Sequence, residues 1–465
     1  MKKLLIILFI FCASTARGAD APVPVSVDPV VEFVSAACRT AGFEEYVHDA
    51  NAVYASAVDS LFRPFRNHPA IDYLNSVRGS SGIGYDAVAA LAVQLEDVNG
   101  ALRLRPGTDL PAMDSRWNPG QAEALALLLS DLYRQSGFGE FCKSRATFYE
   151  AVVRNMHSLL EKTDMEWLHD FFGKKLEGSR VVISLLNFGN YGMTRKSAGR
   201  PDEAVIIVGC FATDDNGIPV FDGRESLIIH ESSHPMCNPL VERSLPLFND
   251  NINEAAGLMA EPLARMSYAG GPTMMRESMV RATEIQYALE HGDSIGASDK
   301  RARQMANGFL FMPEILAAFE MYEADRQAYP VIDSIMPVIV EAINEVDVRA
   351  RYGEIMSASP EITGCSLPYG ATVSPSDSLA ISFYFSRPIM RGSFGMGELE
   401  DKEVPDLSNV HKPRIALSDD GMTLTIYVEA KPEMEYGFTM HGSFYRGATG
   451  FPGRGSIPVL FRTTE

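Results

Sequence analysis

The chain has 465 residues, of which 41 are basic and 60 are acidic, and its formal net charge is −19. This acidic balance, together with the lack of a basic run interleaved with aromatic residues, argues against nucleic acid as a partner. The length allows about three domains and a large core. After the first 20 residues no uninterrupted apolar run reaches the ~18 residues of a membrane-spanning helix, so no transmembrane segment is predicted there.

Residues 1–19 have the pattern of a secretory signal peptide. Two lysines precede an apolar run that ends near Phe11, and small residues follow up to Ala19. The pattern predicts export to the periplasm or outside the cell. A lipoprotein signal at Cys12 is the alternative, although Phe11 occupies a place where that pathway needs a small side chain. The five later cysteines are odd in number, so at least one thiol has no partner within the chain.

The first half of the chain is predicted to be mainly helical, because its apolar residues recur with helical period. Asn118 and Pro119 begin one helix and Gly137 ends it. Strand candidates follow at 181–186 and 204–210. The intervening Asn190 and Tyr191 lie beside a strand that can hold an extended peptide, which makes them candidate substrate contacts, although a simple turn is the preferred interpretation.

The segment from Leu227 to Asn238 contains the pattern His-Glu-x-x-His, formed by His230, Glu231 and His234. On a helix, residues four apart lie on one face, so both imidazoles can bind one Zn²⁺ while Glu231 lies beside them. A surface helix with an accidental histidine pair is the alternative. Pro235 disfavours helical geometry at the preceding residue, so the helix is predicted to end or kink at His234.

Two histidines require a third ligand. The metzincin extension is excluded because Cys237 and Leu240 stand where it needs glycine and histidine. A glutamate from a later helix is the remaining common solution, and the spacing alone leaves several open. The candidates are Glu254, Glu261, Glu277 and Glu284. Cys237 is explained equally well as a metal ligand and as a buried free thiol or half of a disulfide, so it is not assigned to the metal. Tyr287 and His291 are not assigned as oxyanion donors, although both follow the candidate ligands in the sequence.

Beyond residue 357 the pattern changes to alternating apolar and polar residues. The alternation is clear at 381–385, 422–428 and 436–440, and an Asp420–Gly421 turn precedes the second of these. Residues 359–465 are therefore predicted to form a small β-sandwich.

Four segments together carry a family resemblance. They are Asn190–Gly192, His230–His234, Asn238–Pro239 and Glu277–Ala282. In this order they resemble a family of secreted bacterial proteins of unknown function that have a gluzincin-type motif. The resemblance covers about 20–350 and implies a gluzincin-like fold with Glu277 as the third metal ligand. The segment 368–388 resembles bacterial Ig-like domains.

We therefore expect an α+β protein with a signal peptide at 1–19, a mostly helical zincin-like catalytic domain with a small sheet at 20–356, and an all-β Ig-like sandwich at 359–465. The expected function is a secreted zinc metallopeptidase that cleaves a peptide or protein substrate, with Zn²⁺ on His230, His234 and Glu277 and with Glu231 as the general base. The alternatives are an inactive zincin scaffold used for binding or adhesion, and a zinc amidase acting on cell-wall or glycan-linked substrates.

Overall fold

The computed structural model describes residues 23–175, 178–390, 395–397, 399 and 414–465. The predicted signal peptide lies outside the described residues. The described chain has an α+β fold, as expected from the sequence, and divides into two compact units. The first unit contains residues up to 156, 177–189 and 195–220, and the second contains 157–176, 190–194 and 221–465.

The first unit combines helices with a parallel sheet. In this sheet β1 (Val25–Val27) pairs with β4 (Arg180–Ser184), and β4 pairs with β6 (Glu203–Gly209). A hairpin consists of β2 (Leu95–Val98) and β3 (Ala101–Leu104). The helices are α1 (Pro29–Ala41), α2 (Ala52–Phe62), α3 (Pro69–Ser81), α4 (Tyr85–Ala92), α5 (Pro119–Ser136), α6 (Phe138–Ser144) and α7 (Ala146–Leu160), the last of which belongs to this unit up to residue 156.

Local sequence explains the ends of α5. The Asn118 side chain and Gln121 form a reciprocal capping box, Pro119 occupies the first helical position, and Gly137 follows the helix with a φ of 64°. This φ is in the left-handed region, which glycine adopts without steric cost. The boundaries of α5 and the strands predicted near 181 and 204 are thus confirmed. After Gly137 the chain forms two further helices, α6 and α7.

Aromatic rings form the centre of the first unit. Phe33 of α1 contacts Phe62, Tyr133 and Phe138 at centroid distances of 6.1, 4.9 and 5.6 Å. Glu32, the residue before Phe33, is also fully buried, and its carboxylate accepts the Leu185 N–H at 2.7 Å. Burial raises the pKa of Glu32 to about 7, so this carboxyl group is partly protonated at neutral pH.

The second unit begins with α8 (Met165–Phe172) and most of β5 (Tyr191–Arg195), and continues through a helical array. Within that array α9 (Glu225–Ser244) packs against α12 (Gly270–Glu290). The apolar surfaces of the helices merge into one buried core. The helices are α9 (Glu225–Ser244), α10 (Asn251–Leu258), α11 (Ala260–Ala264), α12 (Gly270–Glu290), α13 (Ser294–Ala306), α14 (Met312–Ala324), α15 (Met336–Asn344) and α16 (Val348–Ala358).

Helix α9 continues through both of its prolines, Pro235 and Pro239. Of the two predicted outcomes, an end or a kink at His234, the structure contradicts the end, and the kink stays a prediction. A proline inside a helix removes one hydrogen bond to the carbonyl four residues earlier, which for Pro235 is the carbonyl of Glu231. Burial of the apolar residues on α9 against the helical core offsets this loss. The helix thus keeps His230 and His234 one turn apart on the same face.

The remaining strands of the second unit form two sheets. The first has the order β10-β11-β9-β7 and is antiparallel throughout, and the second has the order β12-β13-β8. Their facing side chains share one apolar core, so the two sheets form the expected sandwich. The strands are β7 (Ile362–Cys365), β8 (Ala371–Val373), β9 (Ser376–Phe385), β10 (Arg414–Leu417), β11 (Thr423–Ala430), β12 (Glu435–His441) and β13 (Ser456–Thr463).

The helical array and the sandwich are in contact within the second unit. Arg446 forms an ion pair with Asp299 of α13, and Arg454 donates to the carbonyl oxygen of Met356 at 3.3 Å. Phe451 packs against the helical core. The predicted domain boundary near 357 thus falls at the junction of α16 and β7, inside one compact unit.

Candidate metal centre

Helices α9 and α12 bring the predicted site residues together. Met274, Met275, Met279 and Val280 are buried and orient α12 so that Glu277 faces α9. His230 Nε2 and His234 Nε2 are 3.3 Å apart. Glu277 Oε2 lies 3.7 Å from His230 Nε2, and Glu277 Oε1 lies 3.6 Å from His234 Nε2. These three residues form a group in which every ligand atom lies within 4.8 Å of the others.

The group has the dimensions of a metal site. For a tetrahedral ion with bonds of about 2.0–2.1 Å, neighbouring ligand atoms lie roughly 3.3–3.5 Å apart. Glu277 Oε2 is buried and has no hydrogen-bond partner among the described residues. A buried carboxylate oxygen without a donor is costly unless a cation or a water molecule satisfies it. The two imidazoles and this carboxylate therefore fit a divalent cation.

The outer nitrogen of each imidazole is held by a polar side chain. His230 Nδ1 lies 2.5 Å from Glu284 Oε1, and His234 Nδ1 lies 3.3 Å from Asn238 Oδ1. Such partners fix the ring orientation and leave Nε2 available for a metal. Glu284, one of the four ligand candidates, is thus directed to Nδ1 of His230 and not to the cluster of Nε2 atoms.

Glu284 is itself anchored on its other oxygen. Ser226 Oγ donates to Glu284 Oε2 at 3.1 Å, and Lys300 Nζ lies 3.9 Å from the same atom. Burial raises the pKa of Glu284, but the hydrogen bond and charge of His230 and the charges of Arg281 and Lys300 outweigh burial, so the net shift is downward. The carboxylate is therefore ionised and available to accept from Nδ1–H.

Burial and charge give the two histidines different acidities. Burial lowers the pKa of His234 to about 4, so its imidazole is neutral at neutral pH. Burial also opposes protonation of His230, but the hydrogen bond to Glu284 and the charge of Glu231 raise its pKa overall. A neutral imidazole is the form that binds metals.

Glu231 lies beside the cluster without belonging to it. Its Oε2 is 3.8 Å from His234 Nε2, and the residue is 5% exposed. Burial raises the pKa of Glu231 to about 7, although the charge of His230 and a hydrogen bond from the Gly192 N–H lower it. A carboxylate with a pKa near neutrality can both accept and return a proton at physiological pH.

Strand β5 passes very close to this part of α9. A Cβ atom added to Gly192 would lie 1.8 Å from the carbonyl oxygen of Glu231, so only glycine fits at this position. Asn190 and Tyr191, the predicted substrate contacts, directly precede this close approach. Their role in substrate binding stays a prediction.

Two further residues, Arg281 and Tyr268, adjoin the cluster. Neither was assigned to the site from the sequence. Arg281 Nη2 lies 3.4 Å from Glu277 Oε2 and also donates to Tyr268 Oη at 3.4 Å. Tyr268 also helps to lower the pKa of Glu277, after the charges of His234, His230 and Arg281. Arg281 follows Glu277 by four positions, and this spacing on a helix predicts that the two side chains are neighbours. Tyr268 precedes α12 and has no periodic relation to the motif.

The other acidic candidates are engaged elsewhere. Glu254 pairs with Arg349 at 2.7 Å, and Glu261 pairs with Arg265 at 3.1 Å. The structure therefore brings Glu277, and not these two carboxylates, to the histidines.

Cys237 and the two unassigned aromatic residues also have other contacts. Cys237 is a buried free thiol 3.8 Å from Thr283 Oγ1. Tyr287 Oη accepts the Asp164 N–H at 3.1 Å, and its ring stacks on His291 at 3.9 Å. The expectation that at least one thiol has no disulfide partner within the chain is confirmed, since none of the five described cysteines forms a disulfide bond.

The fold and site define an α+β protein with a buried two-histidine, one-glutamate group of metal-binding dimensions. The chain belongs to the family described as domain of unknown function DUF4932, whose model matches residues 25–342. No curated protein matches the chain. Across the described residues, no helix is both long enough and apolar enough to cross a membrane.

Three matching solved structures are of the surface layer protein SbsC. Its domains 1–6 are 12% identical, with 51% of this chain and 32% of that chain covered and a TM-score of 0.17. The N-terminal part of SbsC is 14% identical, with 52% of this chain and 59% of that chain covered and a TM-score of 0.16. A longer SbsC segment is 10% identical, with 85% of this chain and 46% of that chain covered and a TM-score of 0.17. The chain thus spans less than two thirds of each of these proteins, and these TM-scores define no common fold.

Proposed function

We propose that the protein is an exported zinc-dependent hydrolase of the gluzincin type that cleaves peptide bonds. The observation that carries the proposal is the triangle formed by His230 Nε2, His234 Nε2 and the Glu277 carboxylate. The two nitrogens are 3.3 Å apart, Glu277 Oε2 lies 3.7 Å from His230 Nε2, and Glu277 Oε1 lies 3.6 Å from His234 Nε2. Glu231 lies beside the triangle, where a general base is required. The proposed ligands are His230, His234 and Glu277.

The donor set favours zinc among the common divalent ions. Two imidazoles and one carboxylate are the ligands of many catalytic zinc sites, whereas magnesium and calcium prefer oxygen ligands alone. A zinc ion bound here would polarise a substrate carbonyl and make water a stronger acid. Glu284 and Asn238 would keep both Nε2 atoms directed at the ion through their contacts with Nδ1.

The proton transfer is assigned to Glu231. In its ionised form a carboxylate oxygen accepts a proton from the attacking water molecule, and the resulting acid donates that proton to the leaving amine. The pKa of about 7, raised by burial, favours this exchange near neutral pH. Arg281 has a different role, since its guanidinium group neutralises Glu277 and keeps that side chain ionised.

A peptide is the substrate that the neighbouring strand favours. Strand β5 lies against α9 beside Glu231, and backbone amides of a strand can align an extended peptide through regular hydrogen bonds. The sandwich formed by residues 359–465 is proposed to be Ig-like and to space or dock the hydrolase. Export is proposed from the signal-peptide pattern of residues 1–19.

The test combines metal content with hydrolysis of a mixed peptide library. We expect one zinc per chain and cleavage by the wild-type protein. Glu231→Gln should keep the zinc and lose hydrolysis by at least about 100-fold. Glu242→Gln is the matched control, because Glu242 is on the same helix but forms an ion pair with Arg276. Absence of saturable zinc binding, or full hydrolysis by Glu231→Gln, would overturn the proposal, and cleavage of amide-linked glycans in place of peptides would make the protein an amidase.

A further inference from the structure

A second cluster of charged side chains lies within the first unit. It contains Arg105, which follows β3, Arg180 at the start of β4, and Arg195 at the end of β5. The side chains of Arg180 and Arg195 are only 17% and 11% exposed. Two mostly buried guanidinium groups and a third beside them require acceptors for many N–H donors.

Two carboxylates serve these three guanidinium groups. Glu203 is shared, since Arg195 pairs with its Oε2 and Arg180 Nε lies 3.5 Å from its Oε1. Asp28 Oδ2 lies 3.8 Å from Arg180 Nη1, which is beyond hydrogen-bonding distance. The cluster therefore has one positive charge more than these carboxylates neutralise.

Several donors in the cluster have no acceptor. Arg105 Nε, Arg180 Nε and Arg180 Nη2 are buried, and none has a hydrogen-bond partner in the part of the chain that the structure describes, since the 3.5 Å contact of Arg180 Nε with Glu203 is an ion pair without hydrogen-bond geometry. A buried charged donor without an acceptor is strongly unfavourable. Arg180 is the most affected, because two of its three nitrogens are in this state.

The guanidinium groups also repel one another. Burial, followed by the charges of Arg180 and Arg105, lowers the pKa of Arg195 to about 10. Burial and the charge of Arg180 likewise lower the pKa of Arg105. The segment 195–200 adds Lys196 and Arg200 and contains no acidic residue. Removal of this repulsion requires a negative charge at the cluster.

We propose that Arg105, Arg180 and Arg195 form a binding site for a phosphate-type oxyanion. The planar guanidinium fork matches the oxygens of such an anion and donates two parallel hydrogen bonds to it. A tetrahedral dianion offers enough oxygens for several guanidinium groups at once, whereas a carboxylate has two. The site belongs to the first unit and is independent of the histidine cluster.

The test is calorimetric titration of the full chain with inorganic phosphate, with sodium chloride used to keep the ionic strength constant. We expect saturable binding by the wild-type protein and competition by sulfate. Arg180→Gln and Arg105→Gln should each weaken the affinity by about tenfold or more, because each removes charged hydrogen bonds to the anion. Either variant suffices if the other does not fold.

Arg103→Gln is the matched control. The substitution removes the same charge as the two test variants. Arg103 lies on the hairpin strand β3, but its side chain is 57% exposed and pairs with Glu96. Its phosphate affinity should stay within about twofold of the wild-type value. The proposal is overturned by a lack of saturable phosphate binding, by tighter binding of acetate than of phosphate, or by an equal loss of affinity in Arg103→Gln.

Discussion

Glu284 Oε1 lies 2.5 Å from His230 Nδ1, on the opposite side of the imidazole from the nitrogen that faces His234 and Glu277. The carboxylate therefore orients the ring without entering the donor triangle. Two glutamates of one helix, Glu277 and Glu284, thus face different nitrogens of the same imidazole.

Glu284→Gln should weaken zinc binding without abolishing it. The amide oxygen can still accept from Nδ1–H, but it lacks the negative charge that makes the imidazole a better ligand, so we expect a loss of about 10–100-fold in zinc affinity. Competition with a chromogenic chelator measures it. Glu290→Gln on the same helix is the control, because Glu290 contacts Trp167 and Gln286. Equal affinities in both variants would refute the orienting role.

Glu277→Gln should reduce zinc affinity more than Glu284→Gln, and hydrolysis should fall with it. The substitution replaces an anionic oxygen with a neutral one, and it also leaves the buried Arg281 guanidinium without its carboxylate. Metal analysis after dialysis, together with peptide hydrolysis, measures both effects. Glu261→Gln is the control, since its side chain is exposed and pairs with Arg265. Zinc retained in Glu277→Gln at the wild-type level would contradict the assignment.

Gly192→Ala should destabilise the second unit and abolish hydrolysis. The added Cβ atom would lie 1.8 Å from the Glu231 carbonyl oxygen, so strand β5 or helix α9 must shift. We expect a loss of about 1–3 kcal/mol or more in the free energy of unfolding, as for overpacked cores. Urea denaturation measures it.

Gly257→Ala provides the comparison of opposite sign. Gly257 is on α10, and a Cβ atom there meets no atom within 4 Å. Alanine is favoured over glycine in a helix by about 1 kcal/mol, so this variant should be slightly more stable than the wild type. A destabilisation of similar size in both variants would show that the contact with Glu231 is not the cause.

Glu32→Gln should stabilise the first unit at high pH. Burial raises the pKa of Glu32 from 4.5 to about 7, so between these values the folded chain holds a proton that the unfolded chain has lost. The free energy of unfolding of the wild type therefore falls as the pH rises through this range, by about 3 kcal/mol in total. The variant has no such group, so its advantage should be large at pH 8 and small at pH 5. Urea titrations at both values measure it, and an advantage independent of pH would contradict the explanation.

Residues close in sequence were the most predictable part of the candidate site. The i, i+4 spacing of His230 and His234 required only one helical turn, and the structure keeps that turn. The ends of α5 and the alternating strands of the sandwich were predictable for the same reason, because caps and pleats depend on nearby residues.

Long-range packing accounts for what the sequence did not reveal. Proline propensity predicted an end or a kink of α9 at His234, but the helix continues, because contacts with the helical core outweigh that local preference. Spacing alone left four glutamates open, and the family resemblance implied Glu277. The packing of α12 on α9 places Glu277 beside His234 Nε2 and Glu284 beside His230 Nδ1. Tyr268 lies just before α12, outside any helical or strand pattern, so no periodicity in the sequence relates it to Glu277 or Arg281.

The continuation of α9 through Pro235 has a consequence for how this motif varies among proteins. Proline at 235 leaves the Glu231 carbonyl without its usual helical donor, and the same oxygen is the atom that leaves no room for a side chain at 192. Positions 192 and 235 are distant in sequence, yet both act on this one carbonyl group. In an alignment of relatives we expect glycine at 192 whatever residue stands at 235, because the oxygen occupies the same place in the helix whether or not it accepts a backbone N–H.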